Sequence, residues 1–206
     1  MNHRLFWVVL GLLLCASALY AREGDARPPL SLSPAPREVQ LHDGGFRLGP
    51  GTKIFVQRGH EAEDRIAAET LAEEVAEQSG LRLDIVGTKA GHKAGDSGIV
   101  LARLQDARVR RFLATKGLQA DDLVGEQGYL LFSDNSHLIV AAYSGQGLFY
   151  GVQTLRQLLR PEGKGLLCPA VAVRDWPSLE QHTGREDISR RTSPDFLIRQ
   201  FRTPGT

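Results

Sequence analysis

Two amphipathic helix signals set among many short strand signals leave this chain few architectures to adopt. Ile66, Ala67, Thr70, Leu71, Glu74, Val75 and Gln78 fall on one side of a helix running from about Ala62 to Ser79, with Gly80 at its C-terminal end. A second helix opens at Ser144, a capping residue, and carries Leu148, Phe149, Val152, Leu155, Leu158 and Leu159. Strand signals surround both: Glu38 to Leu41, Phe46 to Leu48, Lys53 to Val56, Leu81 to Val86, Ile99 to Leu101 and Leu166 to Val173. Asp43-Gly44-Gly45 and Gly49-Pro50-Gly51 break the first three apart. The clearest hairpin is Gly128 to Phe132, a Ser133-Asp134-Asn135-Ser136 turn, then His137 to Ala142. A shorter helix is expected around Val109 to Leu113. Strands outnumber helices, and each apolar stripe needs a sheet face to cover it. The pattern predicts an α+β domain: a mixed, mostly antiparallel sheet with helices packed on one face. No internal repeat is visible.

The first residues read as an address. Met1 to Arg4 carries a positive charge, Phe6 to Leu14 is uncharged and apolar, and small residues follow at Ala16, Ser17, Ala18 and Ala21. That is the order of a secretory signal peptide, too short to span a membrane and followed by charge at Arg22. Cleavage is expected after Ala18 or Ala21, and the second leaves 206 − 21 = 185 residues in a secreted or periplasmic protein. A lipoprotein would use Cys15, but Leu14 is larger than the small residue such sites carry. With the leader gone, Cys168 is the remaining cysteine of two, so no internal disulfide can form. It sits in an apolar run and reads as a core residue, with no cationic neighbour in sequence to make it a nucleophile.

Lys+Arg 25 against Asp+Glu 24 gives a net charge of +1, without the basic field that nucleic-acid binders use. Gly145-Gln146-Gly147 with Gly151 suggests a dinucleotide loop, but the spacing is G-x-G-x-x-x-G, Phe149 and Tyr150 would crowd a pyrophosphate, and the preceding strand belongs to a hairpin. Close helix–sheet packing explains the glycines better. The loop from Gly87 to Gly95 has phosphate-loop ingredients in the wrong order. His60-Glu61-Ala62-Glu63-Asp64 lacks the second histidine of a zinc helix, and the six histidines are scattered. No metal or organic cofactor is implied. Acidic pairs stand at Glu63-Asp64, Glu73-Glu74, Asp121-Asp122 and Glu186-Asp187; the first two are expected on a solvated helix face.

Several stretches together resemble the bacterial β-N-acetylhexosaminidases of glycoside hydrolase family 20. Leu30-Ser31-Leu32-Ser33-Pro34-Ala35-Pro36-Arg37-Glu38-Val39 with Gly44-Gly45-Phe46-Arg47-Leu48 is similar to the start of their N-terminal non-catalytic domain. The more specific match is Gly147-Leu148-Phe149-Tyr150-Gly151-Val152-Gln153-Thr154-Leu155-Arg156-Gln157-Leu158. Asp175-Trp176-Pro177-Ser178-Leu179 resembles the strand that enters their catalytic barrel. The resemblance implies hydrolysis of terminal N-acetylhexosamine by substrate assistance, in which the sugar's acetamido oxygen attacks the anomeric carbon. A Glu is the general acid, and the Asp just before it orients the acetamido group.

No Asp is followed directly by Glu in this sequence, and 206 − 173 = 33 residues follow Val173, whereas a (β/α)8 barrel takes ~250. No catalytic residue is therefore assigned. If Glu186-Asp187-Ile188-Ser189-Arg190 sets the register, His182 stands where the family carries a sugar-gripping Arg, as a weak substrate contact. The expected organisation is a signal peptide over 1–21, an extended lead-in over 22–32, the α+β domain over 33–173, and a truncated start of the barrel over 174–206. The expected function is that of a hexosaminidase N-terminal domain fragment, inactive alone, that meets an N-acetylhexosamine glycan only when a barrel is supplied, a separate catalytic chain being one source of it. Neither nucleic acid nor, after signal cleavage, membrane is an expected partner. The alternative is a stand-alone carbohydrate- or partner-binding module, in which Trp176 or Tyr150 would stack on sugar, although the first more often packs at a domain boundary and the second in a helix–sheet core. A third reading keeps the domain and places it before another sugar-cleaving barrel.

Overall fold

The structure is a computed structural model, and it describes residues 30–88 and 98–177. Eight strands form one sheet: β1 (Glu38–Leu48), β2 (Lys53–Gln57), β3 (Asp84–Thr88), β4 (Gly98–Arg103), β5 (Tyr129–Ser133), β6 (Leu138–Ala142), β7 (Arg160–Glu162) and β8 (Gly165–Asp175). Three helices accompany them: α1 (Glu61–Ser79), α2 (Ala107–Thr115) and α3 (Gly145–Leu158). The strand order is β1-β8-β5-β6-β4-β2-β3, with β7 paired to β8. Pairs β1/β8, β5/β8, β5/β6 and β7/β8 are antiparallel, while β2/β3, β2/β4 and β4/β6 are parallel. The sheet is mixed with antiparallel pairs in the majority, as expected.

The parallel pairs follow from the helices, since same-direction strands require a crossover. α1 carries the chain from β2 to β3, and α3 from β6 towards β8. Both return against the strand direction, so they lie parallel on one face. On that face Leu101, Leu131, Val140 and Val173 are level in register and buried, beneath Ala68, Leu71 and Val75 of α1 and Leu148, Val152 and Leu155 of α3. The alternate residues point the other way. There Leu130, Phe132, Ala141 and Ala172 form a second cluster with Leu113 of α2 and with Leu118 and Val124 of the following turns. The two long helices thus share one face, and the short α2 with its turns covers the opposite one.

Three sequence expectations are corrected. Asp43-Gly44-Gly45 does not end a strand: β1 runs through it as an irregularity between Leu41 and Gly45, because β8 offers an 11-residue partner on the far side. Gly44 takes φ 93°, and the Gly45 amide donates to Asn135 Oδ1 at 2.9 Å. β3 begins at Asp84 and not at Leu81, since α1 ends at Ser79 with Gly80 in the left-handed region and Leu81 to Leu83 make the descent. Ile66 lies outside the buried stripe of α1, at 66% exposure; the stripe is Asp64, Ala67, Ala68, Leu71 and Val75.

Candidate functional site

Chemistry-bearing side chains gather at one end of the sheet, where β4, β6 and β8 finish and α1 and α3 begin. Arg103 of β4 is level with Ala142 of β6; Ala142 and Asp175 of β8 both pair with Tyr129. Alternation from Ile99 and Leu101 turns Arg103 into the helix-bearing layer, where it is 1% exposed. It donates to both oxygens of Asp64 (Nε at 3.1 Å, Nη2 at 2.6 Å), to Glu63 Oε2 at 2.6 Å and to the Tyr143 carbonyl at 2.9 Å. Burial pushes the Asp64 carboxyl upward, and the guanidinium pulls it back. The solvated-face expectation holds for Glu63 but fails for Asp64, which is fully buried. Two signals in the sequence mark it: Asp64 precedes Ala68, Leu71 and Val75 at helical spacing, and Arg103 continues the apolar alternation of its strand.

One member of each of two other acidic pairs is also tied to an arginine. Glu74 bridges the two long helices, accepting from Arg156 Nε at 2.5 Å and from Gln78 at 2.7 Å. Asp121 takes both oxygens to Arg174 Nη2 at 2.6 and 2.5 Å, and Arg174 Nη1 reaches Glu38 at 2.6 Å. These contacts hold the Glu74 and Asp121 carboxyls below their ordinary range. The Arg174 guanidinium lies 4.6 Å from the half-buried Trp176 ring and that of Arg37 lies 5.8 Å from it, so Trp176 is clasped at the end of the domain. Glu73 and Asp122 are exposed.

The glycine run is packing. Ser144 Oγ caps α3 by accepting from the Gly147 amide at 3.1 Å, and its hydroxyl donates to the Glu126 carbonyl at 2.5 Å. A Cβ on Gly147 would meet the Gly128 carbonyl at 2.5 Å, one on Gly145 the Glu63 carbonyl at 2.9 Å, and one on Gly151 the Val140 side chain. Each of the three positions is thus a close approach of helix to neighbouring chain, which is why glycine stands there. Beneath it Tyr129 and Thr154 share a buried hydroxyl–hydroxyl bond of 2.5 Å, and burial raises the phenol. Cys168 is buried opposite Phe46, its thiol pushed up to about 12 by desolvation, as a core residue should be. Tyr150 corrects the expectation of a core position: it is 40% exposed on the outer side of α3, where Gln146 donates to its hydroxyl at 3.0 Å. His60 stands at the N-cap of α1 without a side-chain cap bond, and His137 faces Asp134. His182 and Glu186-Asp187 lie outside the described residues, as does most of the Gly87–Gly95 loop.

A mixed sheet with two crossover helices on one face, with Asp64 and Glu74 held by Arg103 and Arg156, defines an α+β domain. Residues 30–176 match the family model for glycosyl hydrolase family 20, domain 2. The chain belongs to glycosyl hydrolase family 20. A beta-hexosaminidase of Vibrio furnissii is 27% identical over 165 residues, which cover 80% of this chain and 22% of that protein. Among solved structures, the GH20 β-N-acetylhexosaminidase of Streptomyces coelicolor A3(2) is 30% identical with a TM-score of 0.52, covering 71% of this chain and 26% of that one. A Streptomyces plicatus β-hexosaminidase mutant in complex with product (GlcNAc) is 28% identical with a TM-score of 0.54, covering 77% and 29%. The chain thus spans less than a third of the length of these relatives.

Proposed function

We propose that this chain supplies the non-catalytic α+β domain of a secreted or periplasmic β-N-acetylhexosaminidase, and that the 206-residue polypeptide hydrolyses no glycoside by itself. The observation that carries this is the state of the carboxylates. Asp64, Glu74 and Asp121 are committed to Arg103, Arg156 and Arg174, and the sequence holds no Asp followed by Glu for substrate-assisted hydrolysis. Glycans ending in N-acetylhexosamine become substrates where a barrel supplies that pair, with His182 as a candidate sugar contact and no cofactor. Pure protein mixed with a chromogenic N-acetylglucosaminide is expected to release no leaving group, and sustained turnover overturns the proposal.

The second reading, a stand-alone carbohydrate-binding module, is favoured by one observation, the exposed Tyr150 ring beside Phe149, with centroids 6.2 Å apart. Calorimetric titration with chitooligosaccharides tests it, and an absence of heat removes it.

A further inference from the structure

We infer that the protein pairs with a second copy of itself through the open edge of β3; the inference uses this domain's own surface and holds apart from the family reading above. The sheet ends at β1 on one side and at β3 on the other. A sheet edge offers its backbone groups to any strand that fits, and edges are ordinarily blunted by charge, proline or a bulge. β1 is blunted: it carries the irregularity between Leu41 and Gly45, with Glu38 and Arg47 along its length. β3, Asp84-Ile85-Val86-Gly87-Thr88, has one charge, at its first residue, and no proline. The Arg58 amide donates to the Thr88 carbonyl at 2.7 Å, so Thr88, Val86 and Asp84 turn their backbone groups to β2. By alternation Ile85 and Gly87 turn their N–H and C=O groups outward. Both residues lie on the α1 side, level with the buried Ile54 and Val56, in a groove walled by Glu61, Arg65 and Glu69. Ile85 is 42% exposed there.

Self-complementarity selects the occupant. An antiparallel copy placed about a two-fold axis at Val86 sets Ile85 of each chain against Gly87 of the other, and each such pair exchanges two backbone bonds. Gly87 has no side chain to oppose the incoming isoleucine. Val86 meets its own copy, and Asp84 meets Thr88 in place of a second carboxylate. The helix layer follows the same register. A Cβ on Gly87 would lie 3.5 Å from Glu61 Oε1, so Glu61 is level with Gly87. α1 runs against β3, and four helical residues rise about 6 Å, the length of two strand residues, so Arg65 is level with Ile85. The register that pairs Ile85 with Gly87 therefore sets Glu61 of each chain opposite Arg65 of the other. Glu61 is held by the Gly59 amide at 2.7 Å, and Arg65, which meets Glu69 through Nε at 2.7 Å, keeps a side chain 73% exposed. With α1 over β2 the two helix axes stand three strand spacings apart, about 14 Å, a gap that one Glu and one Arg span together. The contact is smaller than the ~1,000 Å² of a stable interface, so the dimer is weak and concentration-dependent.

The test is sedimentation velocity on the 206-residue chain over rising concentration, where a monomer–dimer equilibrium is expected. Glu61→Arg and Arg65→Glu each set like charges together at two places and are expected to weaken association about tenfold or more. An equimolar mixture of the two variants is expected to restore it, because every like pair then becomes an opposite one. Ile85→Lys, at an exposed position, is expected to disperse the dimer without touching α1. Val86→Cys is expected to form a disulfide between chains, since its copy stands about 4.5 Å away between Cα atoms, and Asp84→Cys is not. Circular dichroism and protection of the Cys168 thiol establish that each variant is folded. A monomer at every concentration overturns the inference. So does a dimer indifferent to Glu61→Arg and Ile85→Lys, or a mixture that fails to restore association. A dimer dispersed by Tyr150→Asp and not by Ile85→Lys also overturns it, moving the contact to the outer side of α3. None of these outcomes bears on the family reading, which fails separately on turnover by the lone chain.

Discussion

At the residue scale, the arginines decide what the acidic side chains can do. Asp64→Ala removes the partner of a buried guanidinium, and such a break costs about 3–5 kcal/mol. Pairing it with Arg103→Met removes the stranded charge, so the double variant is expected to be more stable than Asp64→Ala alone, as denaturant midpoints would show. Asp121 is tested by pH. Its carboxyl is held below the ordinary 3.8 chiefly by the bond to Arg174, so its contribution is present above that value and is lost as pH falls through the depressed one. In a chain prepared from Arg22 onward Trp176 is the sole tryptophan, the other being Trp7. Its emission is therefore expected to change below about pH 4, and Asp121→Asn is expected to show the acid-type emission already at neutral pH. An acid titration with no change in emission contradicts this reading. Cys168 is expected to resist a thiol reagent in the native protein and to react fully in guanidinium.

At the scale of elements, α3 is fixed by what it lacks. Gly151→Ala places a methyl against Val140 and Tyr129 and is expected to cost roughly 1–3 kcal/mol as overpacking, read from the thermal midpoint. Loss of the Ser144 cap in Ser144→Ala is expected to cost about 1 kcal/mol. Most elements were legible because their signals are local: the capped α3 stripe, the β5–β6 hairpin, and Gly80 after α1. What was illegible depended on partners distant in the chain. The strand break expected at Asp43 disappears because β8, more than 100 residues later, pairs across it. Asp64 reads as solvated by residue type, although its spacing to Ala68, Leu71 and Val75 marks the stripe; what is not local is its partner Arg103, 39 positions away, and Ile66 reads as buried because hydrophobicity alone does not select a stripe with Asp64 inside it. The Asp121–Arg174 pair gave no sequence signal at all, since neither residue lies on a periodic stripe that meets the other.

At the scale of the molecule, the sheet separates two jobs. One face closes on α2 and its turns around a compact core, while the other carries a helix layer whose outer side still presents Ile66 and Tyr150.

The pairing of β1 with β8 has a consequence for how such a domain travels between genes. Glu38 stands opposite Arg174, and the Arg37 amide donates to Asp175 Oδ1 at 3.1 Å, so the peptide enters and leaves at one point. A unit with adjoining ends can be spliced into or out of a longer polypeptide without spreading the sequences on either side, as circular permutants and inserted modules do.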